Sequence, residues 1–337
     1  MRRKDNFNLY ELNTFRLDVV ASKIYFPESY EEVREVVEEY PDAFILGGGS
    51  NILFATDRLE RPVIAPEIMG IEKLYEDEAQ VIVSSGAGEA WQALVDFTLD
   101  HNWGGLENLS LIPGKVGAAP IQNIGAYGVE FKEVFFGLEA VRIKDGALHT
   151  FNKDMCEFDY RYSAFKGSIK GQYIITRVYI KLRKDHQINT SYGGIKMTLN
   201  KLGLEKPSFR EMADAINYLR RSKLPYPDQI PNAGSFFKNP IVGNKWLEDK
   251  KCTYTFVPHY RIDDQQVKIP AAWLLEQAGF KGYRAADAGF YEKHALILVN
   301  HGRASGEELW SLAQKARKEV ETKFGLLLEP EVNIIEA

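Results

Sequence analysis

The sequence lacks the features that announce many common chemistries. Two cysteines in 337 residues, Cys156 and Cys252, are too few for a disulfide framework or a four-cysteine zinc site. The six histidines are scattered and no HExxH spacing occurs, so no metal site is indicated. There is no G-x-x-x-x-G-K-[ST] and no G-x-S-x-G, which removes a P-loop phosphotransferase and a nucleophile elbow. No apolar run approaches the roughly 18 to 20 residues of a spanning helix, and the opening MRRKDNFNLYELNTF has no apolar signal-peptide core. Charge of one sign is also missing. The 42 Lys and Arg against 47 Asp and Glu give −5 with no block of like charge, which argues against a nucleic-acid surface or a polybasic anchor. What remains is long enough for two or three domains at about 150 residues each and for a core that buries a cofactor. A cytoplasmic enzyme is expected, working as a monomer without nucleic acid or membrane insertion.

Helices are marked by their caps. Ser29-x-x-Glu32 reads as a capping box before Val33, Val36, Val37 and Tyr40. Trp91, Leu94, Val95 and Leu99 form a second stripe. Ser208-x-x-Glu211 opens a third helix and Ser305-x-x-Glu308 the longest, which Gly325 closes. Strand-like runs lie at 43–46, 80–84, 140–143, 173–182, 295–300 and 331–335. The order is α plus β, without repeats.

Three segments fall outside that scheme. Ala43 to Leu53 is an apolar strand running into Gly47-Gly48-Gly49-Ser50-Asn51. Gly104 to Gly128 holds six glycines in 25 residues, where 27 in 337 predict about two. The third is Asn232-Ala-Gly-Ser-Phe-Phe-Lys-Asn-Pro240. Glycines let backbone N–H groups approach an anion closely, so 47–51 is a candidate pyrophosphate cradle, or else a tight turn at a strand end. It is not the Rossmann fingerprint, because no amphipathic helix follows. The Ile, Val, Ala and Leu residues of 104–128 imply burial, and a buried glycine-rich loop needs partners for its backbone. An extended phosphate-bearing cofactor supplies them.

Asn13-Thr14, Gly47–Asn51, Ile112-Pro113-Gly114 through Ile121–Gly128, Tyr160-Arg161, Gly234–Pro240 and Leu328–Val332 together resemble, in order, the UDP-N-acetylenolpyruvoylglucosamine reductase family. The resemblance runs from residue 12 to the C-terminus. Asn189–Gly194 further resembles the subtype with a tyrosine-bearing loop over the substrate. The fold implied is α+β: an FAD-binding region of the vanillyl-alcohol-oxidase type, made of two α+β subdomains, with a separate α+β substrate domain. The subdomains would be 1–70 and 71–200, with 322–337 returning to the second, and the substrate domain 201–321. The resemblance implies FAD contacts at Gly47, Gly48, Gly49, Ser50, Asn51, Pro113, Gly114, Gly117, Ala118, Ala119, Asn123, Gly125 and Ala126. Neither cysteine lies in a glycine-rich segment, so the FAD is expected to be noncovalent. A β-branched side chain at Gly48 or Gly125 is expected to enter the cofactor's space.

The activity implied is NADPH-dependent reduction of an enolpyruvyl ether to UDP-N-acetylmuramate for peptidoglycan. Hydride delivered to an enol ether conjugated with a carboxylate creates a doubly charged aci-carboxylate, which needs preorganised donors in a dry pocket. A guanidinium and a neutral carboxylic acid suit that task, and an acid must protonate the adjacent carbon. The resemblance assigns these roles to Arg161, Glu331 and Ser235. It places Tyr160, Tyr192, Lys223, Asn239 and His294 at the substrate, although relatives carry Gln where this chain has His294. On the residues alone each has an ordinary reading: an ion pair for Arg161, a solvated loop end for Glu331, a helix N-cap for Ser235. Two other functions stay open, an alcohol or sugar oxidase of the same flavin fold and a noncatalytic nucleotide-sugar-binding protein.

Overall fold

In this computed structural model, which describes residues 1–336, the helices begin where the small polar residues stand. The Ser29 hydroxyl accepts the Glu32 amide at 3.2 Å and starts α1 (Tyr30–Glu39), whose Val33, Val36 and Val37 are buried. Helix α2 (Trp91–Asp100) buries Trp91, Leu94, Val95 and Leu99. The sequence gives no cap for α3 (Ile195–Lys201). Ser208 accepts from the Glu211 amide and donates its own N–H to that carboxylate, opening α4 (Phe209–Lys223). Helices α5 (Asn244–Lys251) and α6 (Ala271–Gln277) follow. The box Ser305–Glu308 is reciprocal at the start of α7 (Gly306–Phe324), and Gly325 ends it at φ 69°. Gly194, Gly243 and Pro270 precede α3, α5 and α6 without a side-chain cap bond, so no capping signature marks those three helices.

The chain forms two compact units: 1–7, 20–49 and 59–222 make the first, and 8–19, 50–58 and 223 onward the second. In the first, Val20–Phe26, Val63–Ile64 and Phe44–Ile45 run parallel. A five-stranded antiparallel sheet has the order Leu148–Phe151, Phe135–Arg142, Tyr173–Arg183, Gln80–Gly86, Ile71–Glu76. The buried valines of α1 share one core with Tyr25 and Ile64 of the parallel strands and Val141 and Ile174 of the antiparallel sheet. In the second unit, Asn232–Ser235, Ile297–Asn300, Ala288–Phe290 and Arg284–Ala285 form a four-stranded sheet. Ile241–Gly243, Gln266–Lys268 and Tyr260–Arg261 form a smaller one.

Two of the expected boundaries differ. Helix α4 belongs to the first unit rather than to a substrate domain beginning at 201, because Phe209 and Ala213 are buried with Trp103, Leu106 and Val134. The C-terminal strand Asn333–Ile335 pairs in parallel with Ile52–Phe54 and not with the 71–200 segment. The Ile52–Phe54 segment also lies against the start of α7, where a Cβ on Gly306 would overlap the Phe54 carbonyl. Strand 52–54 is therefore wedged against α7 and clusters with the second unit. The last residue of that expected return, 337, lies outside the described residues.

Candidate active site

The two glycine-rich segments meet in the first unit. A Cβ at Gly48 would stand 2.8 Å from Gly114 Cα and 3.2 Å from Lys115 N, so the two backbones touch and no side chain fits between them. Gly49 (φ 61°) and Gly114 (φ 125°) hold left-handed conformations that L side chains rarely adopt. Gly117 is equally tight, 2.6 Å from the Ala87 Cβ by the same construction, at the start of the short turn carrying Ala118 and buried Ala119. Among the described residues, the amides of Gly47, Gly48 and Gly114 donate to no main-chain carbonyl. N–H groups left unclaimed on bare glycine backbone suit a diphosphate, and the residues fit that part of FAD.

A Cβ at Gly48 or Gly125 would strike the protein itself: Gly114 and Lys115 in one case, Arg161 Nη1 at 2.9 Å and Val129 O at 3.1 Å in the other. The Asn123 side chain is committed within the protein. It is fully buried, its Nδ2 donates to Glu130 Oε2 and Asp159 O, and its Oδ1 accepts the Lys132 amide. That amide has no hydrogen left for a cofactor. It braces the loop that presents Gly125 and Ala126.

Arg161 is held against the same loop. Tyr160 and Arg161 form the tip of a two-residue turn closed by the reciprocal bonds of Asp159 and Tyr162 at 3.1 Å. Arg161 sits at φ 54°, uncommon for a long side chain, with Nη2 donating to Gly125 O at 2.7 Å and the guanidinium 5.6 Å from the Tyr160 ring. Gly125-Ala126 pairs with Val129-Glu130 across Tyr127 (φ 51°) and Gly128 (φ 81°), a hairpin turn with both central residues left-handed. The Tyr192 ring meets Tyr127 edge to face, centroids 5.5 Å apart. Burial pushes the Tyr127 hydroxyl above its usual range, against the Arg220 charge.

In the second unit Ser235 lies in strand Asn232–Ser235, opposite Ile297. It is not a helix N-cap. Asn232, buried, accepts the Gly234 amide on Oδ1 and anchors its Nδ2 on Pro225 O and Ile230 O, shaping the left-handed Gly234 (φ 72°) just before the serine. The chain continues beside the C-terminal segment: Glu331 N donates to Phe236 O at 2.8 Å and Lys238 N to Glu329 O at 2.9 Å. Ser235 and Glu331 are thus carried on neighbouring backbones. Asn13 and Thr14 serve the same region, since Thr14 O accepts the Asn232 amide and Asn13 braces its own loop. Asn239 Oδ1 accepts the first amide of α6, that of Ala271, at 2.8 Å. Burial lowers the pKa of His294, Glu276 opposes the shift, and the cations Lys223 and Lys281 add to it, which places Lys223 in its electrostatic surroundings. Arg161 belongs to the first unit, Ser235 and Glu331 to the second.

The profile described as UDP-N-acetylenolpyruvoylglucosamine reductase, C-terminal domain, matches residues 225–335, and one described as FAD binding domain matches 21–152. The chain is 43% identical to the Flavobacterium johnsoniae UDP-N-acetylenolpyruvoylglucosamine reductase over 99% of this chain and 100% of the relative. It is 44% identical to that of Amoebophilus asiaticus over 100% of both. The chain belongs to the UDP-N-acetylenolpyruvoylglucosamine reductase family. Among solved structures, the UDP-N-acetylenolpyruvylglucosamine reductase of Thermus caldophilus matches with a TM-score of 0.67 at 22% identity, covering 99% of this chain and 98% of that one. The fold is the expected α+β one, with an FAD-binding region and the reductase family's own C-terminal domain. Residues that sequence reasoning passed over are Tyr127 and Asn108. Gly128 is a local turn hint, whereas nothing local marks Asn108.

Proposed function

We propose that this chain reduces the enolpyruvyl ether of UDP-N-acetylglucosamine-enolpyruvate to UDP-N-acetylmuramate, with NADPH as reductant and noncovalent FAD, as a monomer in the cytoplasm. The observation that carries this reading is 44% identity to a reductase of that name across the whole of both chains. Bound FAD would supply the hydride chemistry that links the nicotinamide to the enol ether. The glycine backbones at 47–49 and 114 would hold its diphosphate, with Ser50, Asn51, Pro113, Gly117, Ala118, Ala119, Asn123, Gly125 and Ala126 around it.

The chain's own residues do the rest. Arg161, steadied by the Gly125 carbonyl, supplies fixed positive charge to the aci-carboxylate, and the Glu331 carboxyl donates a hydrogen bond to it. Ser235 gives its hydroxyl proton to the adjacent carbon. Tyr160, Tyr192, Lys223, Asn239 and His294 hold the nucleotide diphosphate and sugar, Lys223 as a point charge and Tyr192 through its hydroxyl. Anaerobic addition of NADPH should bleach the flavin spectrum, and the enolpyruvyl substrate should then restore it. A yellow protein that NADPH does not bleach would point to an oxidase, and a colourless one to a nucleotide-sugar-binding protein. Size-exclusion chromatography tests the monomer.

A further inference from the structure

Asn108 is 1% exposed and has no part in the chemistry above. Its side-chain amide donates to two carbonyls from distant parts of the chain, Tyr127 O at 3.0 Å and Asn189 O at 2.9 Å. Both neighbours accept, so only the NH₂ can face them, and the orientation of the amide is settled. The other end, Oδ1, is buried without a hydrogen-bond partner. A buried acceptor left unpaired is costly and calls for an explanation. The explanation lies in what the NH₂ holds together.

The two carbonyls belong to the segments that carry Tyr127 and Tyr192. Asn189 closes the contact from its own side, donating Nδ2 to Gly128 O at 3.0 Å and accepting both the Ser191 amide (3.0 Å) and hydroxyl (2.7 Å) on Oδ1. The loop is exposed at Ser191, Tyr192 and Gly193, so its order is imposed from the buried end. One residue before Asn108, buried Glu107 accepts the Gly105 amide at 2.7 Å and pairs with His186 Nε2 at 3.1 Å. That is a second tie between the same two stretches of chain. We infer that Asn108 is a positioning residue: its amide clasps the Tyr127 turn to the 189–192 loop and so fixes the edge-to-face Tyr127–Tyr192 pair for substrate. The inference rests on the reading of Tyr192 as a substrate contact.

Asn108→Ser keeps a small polar group but is too short to reach both carbonyls. KM for the enolpyruvyl substrate should rise about tenfold, the worth of roughly one hydrogen bond, while flavin reduction by NADPH stays within about twofold. Hydrogen exchange at 127–128 and 189–193 should accelerate while that of α2 is unchanged. Tyr192→Phe should then cost less in the Asn108→Ser background than in the native protein, as coupled residues do. Unchanged exchange in both loops, an unchanged KM, or fully independent effects of the two substitutions would overturn the proposal. If Tyr192→Phe alone leaves KM unmoved, the substrate reading fails, and the exchange data still decide the clasp. Should Asn108→Ser not fold, Asn189→Ala tests the same clasp from its more exposed side, through the bonds to Gly128 and Ser191. It should raise KM and loop exchange together, and no change in either would overturn the clasp.

Discussion

The Asn51 side chain donates to the main-chain carbonyl of Glu331 at 3.2 Å, across 280 residues of sequence, and Asn333 returns two bonds to the Asn51 carbonyl at 3.0 Å each. The end of the first glycine loop and the Glu331 segment, proposed above to stabilise the transition state, are therefore one piece of structure. Asn51→Ala should lower stability by about 0.5 to 1.5 kcal/mol, the net worth of one hydrogen bond. Rapid mixing should show reoxidation of the flavin by substrate slowed more than its reduction by NADPH. Equal slowing would confine Asn51 to the cofactor.

Gly48→Val should yield a protein largely free of flavin and less stable. The added Cβ meets the Gly114 backbone at 2.8 Å, so the two loops must separate, and the stabilisation that bound FAD contributes by mass action is lost. Flavin-to-protein absorbance and thermal melting measure both effects. A variant with full flavin content and native melting would remove these loops as the cradle.

Ser235→Ala separates chemistry from binding. Ser235 lies in a strand, so no helix cap is lost, and the folded protein should melt close to the native temperature. NADPH should bleach the flavin at a near-normal rate. Substrate should restore the colour about 10² to 10⁴-fold more slowly, the usual contribution of a general acid. Fast anaerobic reoxidation by substrate would take the proton-donor role away from Ser235.

The His186–Glu107 pair should make stability depend on pH. The hydrogen bond to Glu107 raises the His186 pKa above 6.5, more than burial lowers it. The proton is thus held more tightly in the folded protein than in the unfolded chain. Its contribution is complete below pH 6.5 and declines as pH rises through the raised value. His186→Gln, which keeps a donor but no charge, should lower stability more at pH 6 than at pH 8.5. Melting curves of both proteins at the two pH values check this, and a constant difference would argue against a charged pair.

Cys156 is fully buried, and desolvation pushes its thiol up to about 12; Cys252 is exposed. An aromatic disulfide reagent at pH 8 should titrate one thiol in the native protein and two after denaturation. Two fast thiols in the native state would show that the core around Cys156 opens.

Local chemistry in the sequence was enough for the capped helices, because Ser29, Ser208 and Ser305 close bonds with residues three positions away, and for the strands with long apolar runs. Motif order was enough for the family. Short helices such as α6 were not legible: Asn239, 32 residues before Ala271, supplies the bond at its N-terminus. The partners of the buried amides were hidden for the same reason. Burial commits the Asn123 side chain to Glu130, Asp159 and Lys132, partners that no motif shows. Asn108 gives no local signal, because its acceptors at Tyr127 and Asn189 are set by how three segments pack. A glycine in a motif shows that a side chain is unwelcome. Only the tertiary structure shows that what it would strike at Gly48 is the Gly114 backbone, since that distance depends on two loops folding onto each other.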